Sequence, residues 1–178
     1  MRKHVCRWVL GLTALLAIPA RGSAQQRPVE LGMDGGVQVS LTGGTSPLVQ
    51  IPTGLFRVGF FANDLVSVEP SVALTMLTGS GETAQLLQGR LGVLVHFASD
   101  PTKSRGFVEP LVGIIHRTTG GLKTQTQFSA GGGIGVKIPA GKDFAARLEA
   151  VFTHGFSSNS FSGGNAVGAL IGFSFFTH

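Results

Sequence analysis

The sequence predicts an all-β fold: a closed, antiparallel, up-and-down transmembrane β-barrel of about eight strands, preceded by a cleaved signal peptide. Three observations predict it. Eight segments alternate apolar and polar residues with a period of two, the charges of these segments all fall on the polar faces, and the N-terminus has the pattern of an export signal. The segments suit a membrane barrel because a tilted spanning strand needs roughly 9–11 residues.

The N-terminal region is the predicted signal peptide. A basic start precedes an apolar run over residues 9–18, and small residues follow at 22–24, as signal peptidase requires. The apolar run is too short for a membrane-spanning helix. We therefore divide the chain into a signal peptide, residues 1–24, and one outer-membrane β-barrel domain, residues 25–178.

Cleavage of the signal peptide changes the composition that bears on function. The full chain has a net charge of +5, but four of its 14 Lys and Arg leave with the signal, so ten remain against nine Asp and Glu. Cys6 and Trp8, the single cysteine and the single tryptophan, leave as well. We therefore expect no nucleic-acid partner, no disulfide or cysteine metal site, and no cofactor.

Eight alternating segments follow, separated by clusters of Gly, Ser, Thr, Asn, Asp and Pro. They cover residues 29–41, 55–60, 66–76, 87–97, 107–117, 127–138, 144–153 and 167–175. An even strand number places both termini on the periplasmic side. The predicted periplasmic turns are then residues 62–64, 99–105 and 140–143. The predicted outer connectors are residues 43–47, 78–82, 118–121 and 157–164.

The charged residues indicate which face is inside. The predicted strands carry five bases and five acids: Arg57, Arg90, Arg117, Lys137, Arg147, Glu30, Asp34, Glu69, Glu109 and Glu149. A soluble barrel has a dense coat of Lys and Glu, whereas these polar faces are mostly small residues, as in the side-chain-filled lumen of a narrow barrel. The alternative is a secreted, soluble, lipocalin-like binding barrel with the faces reversed.

Charges in such a lumen have to be paired, since an isolated buried charge is costly. The balanced count permits this. We predict a lumenal ion-pair network formed by Arg57, Glu69, Arg90, Glu109, Arg117, Lys137, Arg147 and Glu149.

Membrane barrels usually carry Tyr and Trp girdles at the two interfaces. The predicted mature chain has neither residue, so we expect phenylalanines to serve as the anchors. The candidates are Phe56, Phe60, Phe61, Phe97, Phe107, Phe128, Phe144, Phe152, Phe156, Phe173, Phe175 and Phe176.

The tight turn at 140–143 and the last strand at 169–176, which ends in aromatic residues, resemble the small eight-stranded outer-membrane barrels of the OmpA/OmpX type. The resemblance covers roughly residues 29–176. It implies location in the bacterial outer membrane, contact with its lipid and lipopolysaccharide, and recognition of the last strand by the barrel insertion machinery. The chain departs from the pattern by adding Thr177 and His178 after the aromatics.

One segment raises the question of catalysis. His154, Ser157 and Ser158 loosely resemble the PagL-type lipid A deacylases, barrels in which a His, a Ser and a downstream Glu face the outer leaflet. In such chemistry the His takes the proton of the Ser. Here alternation places Ser157 on the face opposite His154, and no acid follows Glu149. We expect His154 to be an interfacial residue, and a PagL-like enzyme stays the alternative function.

No other motif carries chemistry. His96 is expected in the lumen and His116 on the outer surface, without the spacing of a metal site. The glycine-rich stretch 131–135 lies in a strand with no helix behind it, which excludes a phosphate loop and favours a close-packed lumen. We therefore expect a structural, adhesive or ligand-sensing barrel, and the sequence names no external ligand.

Overall fold

The computed structural model describes residues 29–41, 49–50, 54–79, 82–100, 102–119, 123–157 and 163–177. The predicted signal peptide, residues 1–24, lies outside them. In the described part of the chain there is no helix long and apolar enough to cross a membrane.

The described residues form nine strands in one antiparallel sheet. They are β1 (Val29–Ser40), β2 (Val49–Gln50), β3 (Leu55–Phe61), β4 (Val66–Gly79), β5 (Glu82–His96), β6 (Arg105–Thr119), β7 (Lys123–Pro139), β8 (Phe144–Gly155) and β9 (Gly164–Thr177). Each strand pairs with its neighbour in the chain, except that β2 and β3 both pair with β1, and β1 also pairs with β9. The sheet is therefore a closed barrel.

The second segment of the sequence is two strands in the structure. β2 and β3 lie on the same side of β1, which pairs Gln38 with Gln50 and Asp34 with Leu55. The register against β1 therefore differs by one residue between β2 and β3. β2 and β3 together occupy one position in the wall, and the prediction of eight wall strands is confirmed.

The first and last strands close the wall. β1 and β9 pair over twelve positions, from Val29 with Thr177 to Ser40 with Ala166. The seam is therefore as fully hydrogen-bonded as the hairpins around it. A sheet closed in this way has no free edge, which a barrel surrounded by hydrocarbon requires because lipid cannot satisfy backbone polar groups.

We call the end of the barrel at which β1 begins and β9 ends the terminal end. The turns at this end depend on short polar side chains. Asn63 Oδ1 accepts hydrogen bonds from the backbone N–H groups of Leu65 (2.9 Å) and Val66 (2.8 Å). Asp100 Oδ1 accepts bonds from Thr102 Oγ1 (2.6 Å) and Thr102 N (2.9 Å), and these hold the pKa of Asp100 below its usual value. Such turns begin the next strand within a few residues.

The two faces have the burial of a membrane barrel. Leu31, Phe56, Phe128, Ile134 and Ile171 are examples of large apolar side chains that are about half exposed or more on the outer wall. The buried set is instead mostly polar and faces the lumen: Glu30, Asp34, Arg57, Ser67, Glu69, His96, Arg105, Glu109, Ser129, Lys137, Arg147, Glu149 and Ser174. This orientation confirms the membrane interpretation and opposes the soluble lipocalin-like alternative.

Three of the expected phenylalanine anchors lie inside. Phe107 is fully buried in the lumen, and Phe61 stacks on His96 (5.8 Å between centroids) and contacts Phe176 (6.4 Å). The residues continue the inward alternation of β6, β3 and β9. They close the terminal end of the lumen with aromatic rings, so the prediction that they face lipid is wrong.

The strands are also longer than the sequence indicated. β5 begins at Glu82 and β6 ends at Thr119, although both residues were expected in connectors. At the opposite end, β6 begins at Arg105, which the sequence placed in a turn. Arg105 is 5% exposed, and its guanidinium carbon lies 5.3 Å from the Phe61 ring centroid. Arg105 precedes Phe107 by two residues and Glu109 by four, so period-two alternation places all three side chains on the inward face.

We expect Gly172→Ala to destabilise the barrel by about 1–3 kcal/mol, as overpacking typically does. A Cβ at Gly172 would collide with Asp34 Oδ1 and the backbone oxygen of Met33, whereas a Cβ at Gly35 would meet nothing within 4 Å. Gly35→Ala is therefore the matched control and should leave stability unchanged or slightly raised. Urea unfolding in lipid vesicles, followed by gel mobility without boiling, measures both. Equal stability of the two variants would contradict the inward position of Gly172.

Candidate functional site

The lumen contains a group of ion pairs that we call the lumenal charge cluster. Its members are Arg57, Lys137, Arg147, Glu30, Asp34, Glu69, Glu109 and Glu149. They come from β1, β3, β4, β6, β7 and β8, and all point inward because alternation places them on the polar face of each strand.

Arg147 is the centre of one half of the cluster. Its Nη1 donates to Glu69 (2.6 Å), and its Nη2 donates to Glu109 (2.9 Å) and Glu149 (2.7 Å). The guanidinium carbon also lies 4.6 Å from the ring centroid of Phe107, which is cation–π distance. One arginine thus joins strands β4, β6 and β8 across the lumen.

Arg57 and Lys137 form the other half. Arg57 bonds Glu30 (2.5 Å) and Asp34 (2.8 Å), and Lys137 bonds Glu30 (2.6 Å) and Glu69 (2.9 Å). Glu69 therefore links the two halves, since it also bonds Arg147. The side chains in these pairs are at most 2% exposed. At this burial the charges are not screened by water, and their mutual contacts have to offset the cost of desolvation.

The lumenal glycines leave room for these long side chains. A Cβ at Gly92 would collide with the Glu109 carboxyl, and one at Gly133 would collide with Glu149. The glycine-rich stretch of β7 therefore faces the charge cluster and Phe107. This agrees with the expectation of a close-packed lumen at this stretch.

The structure brings six of the eight predicted network residues together. They are Arg57, Glu69, Glu109, Lys137, Arg147 and Glu149. Glu30 and Asp34 join them. Both residues lie on the polar face of β1, and this position could have indicated that they belong to the network. The predicted network did not include them.

Arg90 and Arg117 occupy other places. Arg90 is half-buried and lines a small cavity beside Asp34 and Glu149, and Arg117 is exposed near the outer end of β6. Neither forms an ion pair with a residue in the described ranges. Arg117 lies near the outer end of β6, beyond the buried part of the lumen. The polar-face pattern shows which face a residue occupies but not its position along the barrel axis.

The outer rim holds the weak catalytic candidates. His154 is exposed, its Nδ1 lies 2.8 Å from Asn165 Oδ1, and its ring meets Phe156 edge-on with centroids 5.2 Å apart. Ser157 is exposed and is not a hydrogen-bond partner of His154 in the described structure; Ser158 lies outside the described residues. Glu149, the nearest acid before His154 in sequence, faces the lumen and bonds Arg147. Among the described residues, the rim therefore has no nucleophile–base contact of the kind a hydrolase uses.

The other histidines have simple environments. His96 is buried between Phe61 and Phe107, with Nδ1 3.2 Å from the carbonyl oxygen of Leu65. His116 is exposed on the outer wall, and its Nδ1 lies 3.0 Å from Thr126 Oγ1. Across the described ranges, no group of three or more His, Cys, Asp and Glu residues is arranged to hold a metal ion.

Solved structures share this architecture. Neisserial surface protein A superposes with a TM-score of 0.66 at 12% identity, over 83% of this chain and 96% of its own. The attachment invasion locus protein Ail of Yersinia pestis gives 0.51 at 10% identity, over 85% and 99%. The outer membrane protein OprG of Pseudomonas aeruginosa gives 0.51 at 9%, over 85% and 97%.

This chain has the fold of a small eight-stranded outer-membrane β-barrel. No protein-family model matches the chain, and no curated protein matches it at a significant level. At identities near one tenth, the likeness concerns the fold, and the roles of individual residues rest on the geometry above.

We expect Arg147→Met to lower the free energy of unfolding by about 3–5 kcal/mol, the usual effect of removing one partner of a buried ion pair. Three carboxylates would lose their shared donor. The control is Arg117→Met, which removes an exposed arginine and should stay within about 0.5 kcal/mol of the wild type. Adding Glu109→Gln and Glu149→Gln to Arg147→Met should recover part of the loss. Urea titration of the folded barrel measures the free energy of unfolding. A similar loss of this free energy in both arginine variants would contradict the stabilising role of the cluster.

We expect His154→Ala to leave the acylation of lipid A unchanged, because His154 bonds Asn165 and has no serine or acid partner in the described structure. Mass spectrometry of lipid A extracted from cells that express either form measures this. Loss of a deacylated species in the variant alone would establish the enzyme instead.

Proposed function

We propose that the protein is a non-conducting barrel of the bacterial outer membrane, with a structural role or a binding role exercised at its outer surface. The observation that carries the proposal is the lumenal charge cluster. Three basic side chains bond carboxylates from several strands of the barrel. Together they fill the cross-section of the lumen through which a channel would have to pass.

The space beyond the cluster supports the same conclusion. One cavity of about 10 Å³ lies beside Arg90 and Asp34, and another of about 20 Å³ lies among Gln38, Gln88 and Thr153. Volumes of this size hold about one water molecule. Toward the terminal end, Phe61, His96 and Phe107 pack against one another. A continuous aqueous pathway would require breaking several of these contacts.

The outer wall supports location in a membrane. The outward strand positions with described side chains carry no Asp, Glu, Lys or Arg, and many carry large apolar residues that are half exposed. A cation on the lipid face at the midplane costs roughly 2–4 kcal/mol. In water, the same surface would be an apolar area of a size that soluble proteins avoid.

A binding role rests on the outer connectors and rim. Ail, which has a similar fold, has a crystal structure with the heparin analogue sucrose octasulfate, at a TM-score of 0.52. That ligand belongs to Ail. For this chain we propose only that the outer surface is the place of binding, since the lumen is filled.

We expect the protein to fractionate with outer membranes and to migrate differently on gels with and without boiling, because a closed barrel resists detergent until heated. In planar bilayers it should give no discrete conductance steps. A freely soluble species without a mobility shift would contradict the membrane barrel. Stable conductance steps from a heat-modifiable species would contradict only the filled lumen.

A further inference from the structure

The outer wall formed by β7, β8 and β9 has a polar rim with an apolar depression below it. The rim pair is His154 on β8 and Asn165 on β9, which are direct partners in the β-ladder. The depression has a volume of about 370 Å³ and opens outward. Its lining includes Ile134, Val136, Leu148, Ala150 and Ala169.

The depression results from two small side chains that face each other. Ala150 and Ala169 are ladder partners on the lipid-facing side, and Ala150 also pairs with Ile134 of β7. The neighbours Ile134 and Leu148 protrude, with 58% and 45% of their surface exposed. A concavity between larger apolar side chains fits a flexible hydrocarbon chain better than it fits another rigid wall.

The rim pair presents hydrogen-bond donors. His154 Nδ1–H donates to Asn165 Oδ1 at 2.8 Å, which turns the two N–H bonds of the Asn165 amide toward a ligand. Phe156 holds the imidazole edge-on from the side. The complement of these amide donors is a group rich in acceptors, and the phosphate of a lipid headgroup is such a group.

The vertical spacing matches a lipid. His154 lies ten residues after Phe144, the first residue of β8. With a rise of about 3.3 Å per residue and a strand tilt near 40°, His154 lies about 25 Å above the terminal end along the barrel axis. That is the height of the apolar band of an outer-membrane barrel. Ala150 lies four residues deeper, about 13 Å along the strand. Headgroup donors and an apolar depression thus lie one above the other in the same leaflet.

We propose that this face binds one lipid of the outer leaflet, with a headgroup phosphate on the Asn165 amide that His154 orients and an acyl chain in the depression over Ala150 and Ala169. The inference rests on the proposed function, because it requires the barrel to lie in the membrane with this rim outward. No other outward strand position with a described side chain offers a titratable side chain except His116 on β6.

The experiment uses the full barrel folded in detergent, with its gel mobility shift verified for every variant before binding is measured. Diphosphoryl lipid A and its dephosphorylated form are titrated, and bound lipid is counted by native mass spectrometry. We expect His154→Ala, which releases the Asn165 amide from its fixed orientation, to weaken binding of the diphosphoryl form by roughly tenfold, the effect of losing one hydrogen bond to a charged phosphate. The dephosphorylated form should bind about tenfold more weakly than the diphosphoryl form and be insensitive to His154→Ala.

Two controls separate the site from general effects. His116→Ala removes a histidine from the rim at β6, away from the depression, and should bind like the wild type. Ala150→Leu fills the depression and should weaken both lipid forms, whereas Ala146→Leu adds the same bulk to the same strand four residues nearer the terminal end and should not.

The outcomes are distinguishable. If every variant is heat-modifiable and His154→Ala binds like the wild type, or both histidine variants lose equally, the phosphate site is overturned and the proposed function stands. If Ala150→Leu and Ala146→Leu behave alike, the acyl-chain position is overturned. If the wild type shows no mobility shift, both the proposed function and this site are overturned.

Discussion

A wall that faces hydrocarbon leaves the charged side chains of its strands only one place, the lumen. The charge cluster is the physical solution: three bases, Arg57, Lys137 and Arg147, each contact at least two carboxylates at nearly complete burial. Because burying an unpaired charge costs several kcal/mol, the cluster fixes which face of each strand points inward. The alternation of the strands and the glycines of the lumen both follow from that requirement.

The same cluster connects β3 to its neighbours in the wall. β3 has seven residues, and its register against β1 differs by one residue from that of β2. Arg57 lies on β3 and bonds Glu30 and Asp34 of β1, and its Nη2 donates to Ser174 of β9 at 2.7 Å. One side chain therefore connects β3 to both β1 and β9.

Period-two alternation was sufficient to predict the strands and their number, and the position of the charges then indicated which face is inside. Both signals concern the face that a residue occupies. Height along a strand is a different quantity, since it depends on the tilt and on where the strand begins. Arg105 and Arg117 share a face of β6, yet Arg105 is buried in the lumen and Arg117 is exposed.

The aromatic residues show a second limit of the sequence pattern. Phe107 and Phe61 were expected to face lipid by residue type, although their parity places them inside. There they contact His96, and Phe107 also contacts the guanidinium of Arg147. Parity is a better guide than hydrophobicity at such positions, because the narrow end of a barrel is filled by its own large side chains. The contact between His154 and Asn165 required the register of β8 against β9, which the sequence did not provide.

The partners in the cluster are far apart in the chain, and this has a consequence for how the barrel assembles. Glu30 bonds Lys137, 107 residues away, and Ser174, 144 residues away. An isolated pair of β1 and β3 would carry Arg57 with Glu30 and Asp34, but it would lack Lys137, the second counter-charge of Glu30. Contacts of such long sequence separation form late and make folding slow. Full neutralisation of Glu30 and Glu69 therefore waits for Lys137 on β7 and Arg147 on β8, so the lumen becomes balanced in charge only as the ring nears closure.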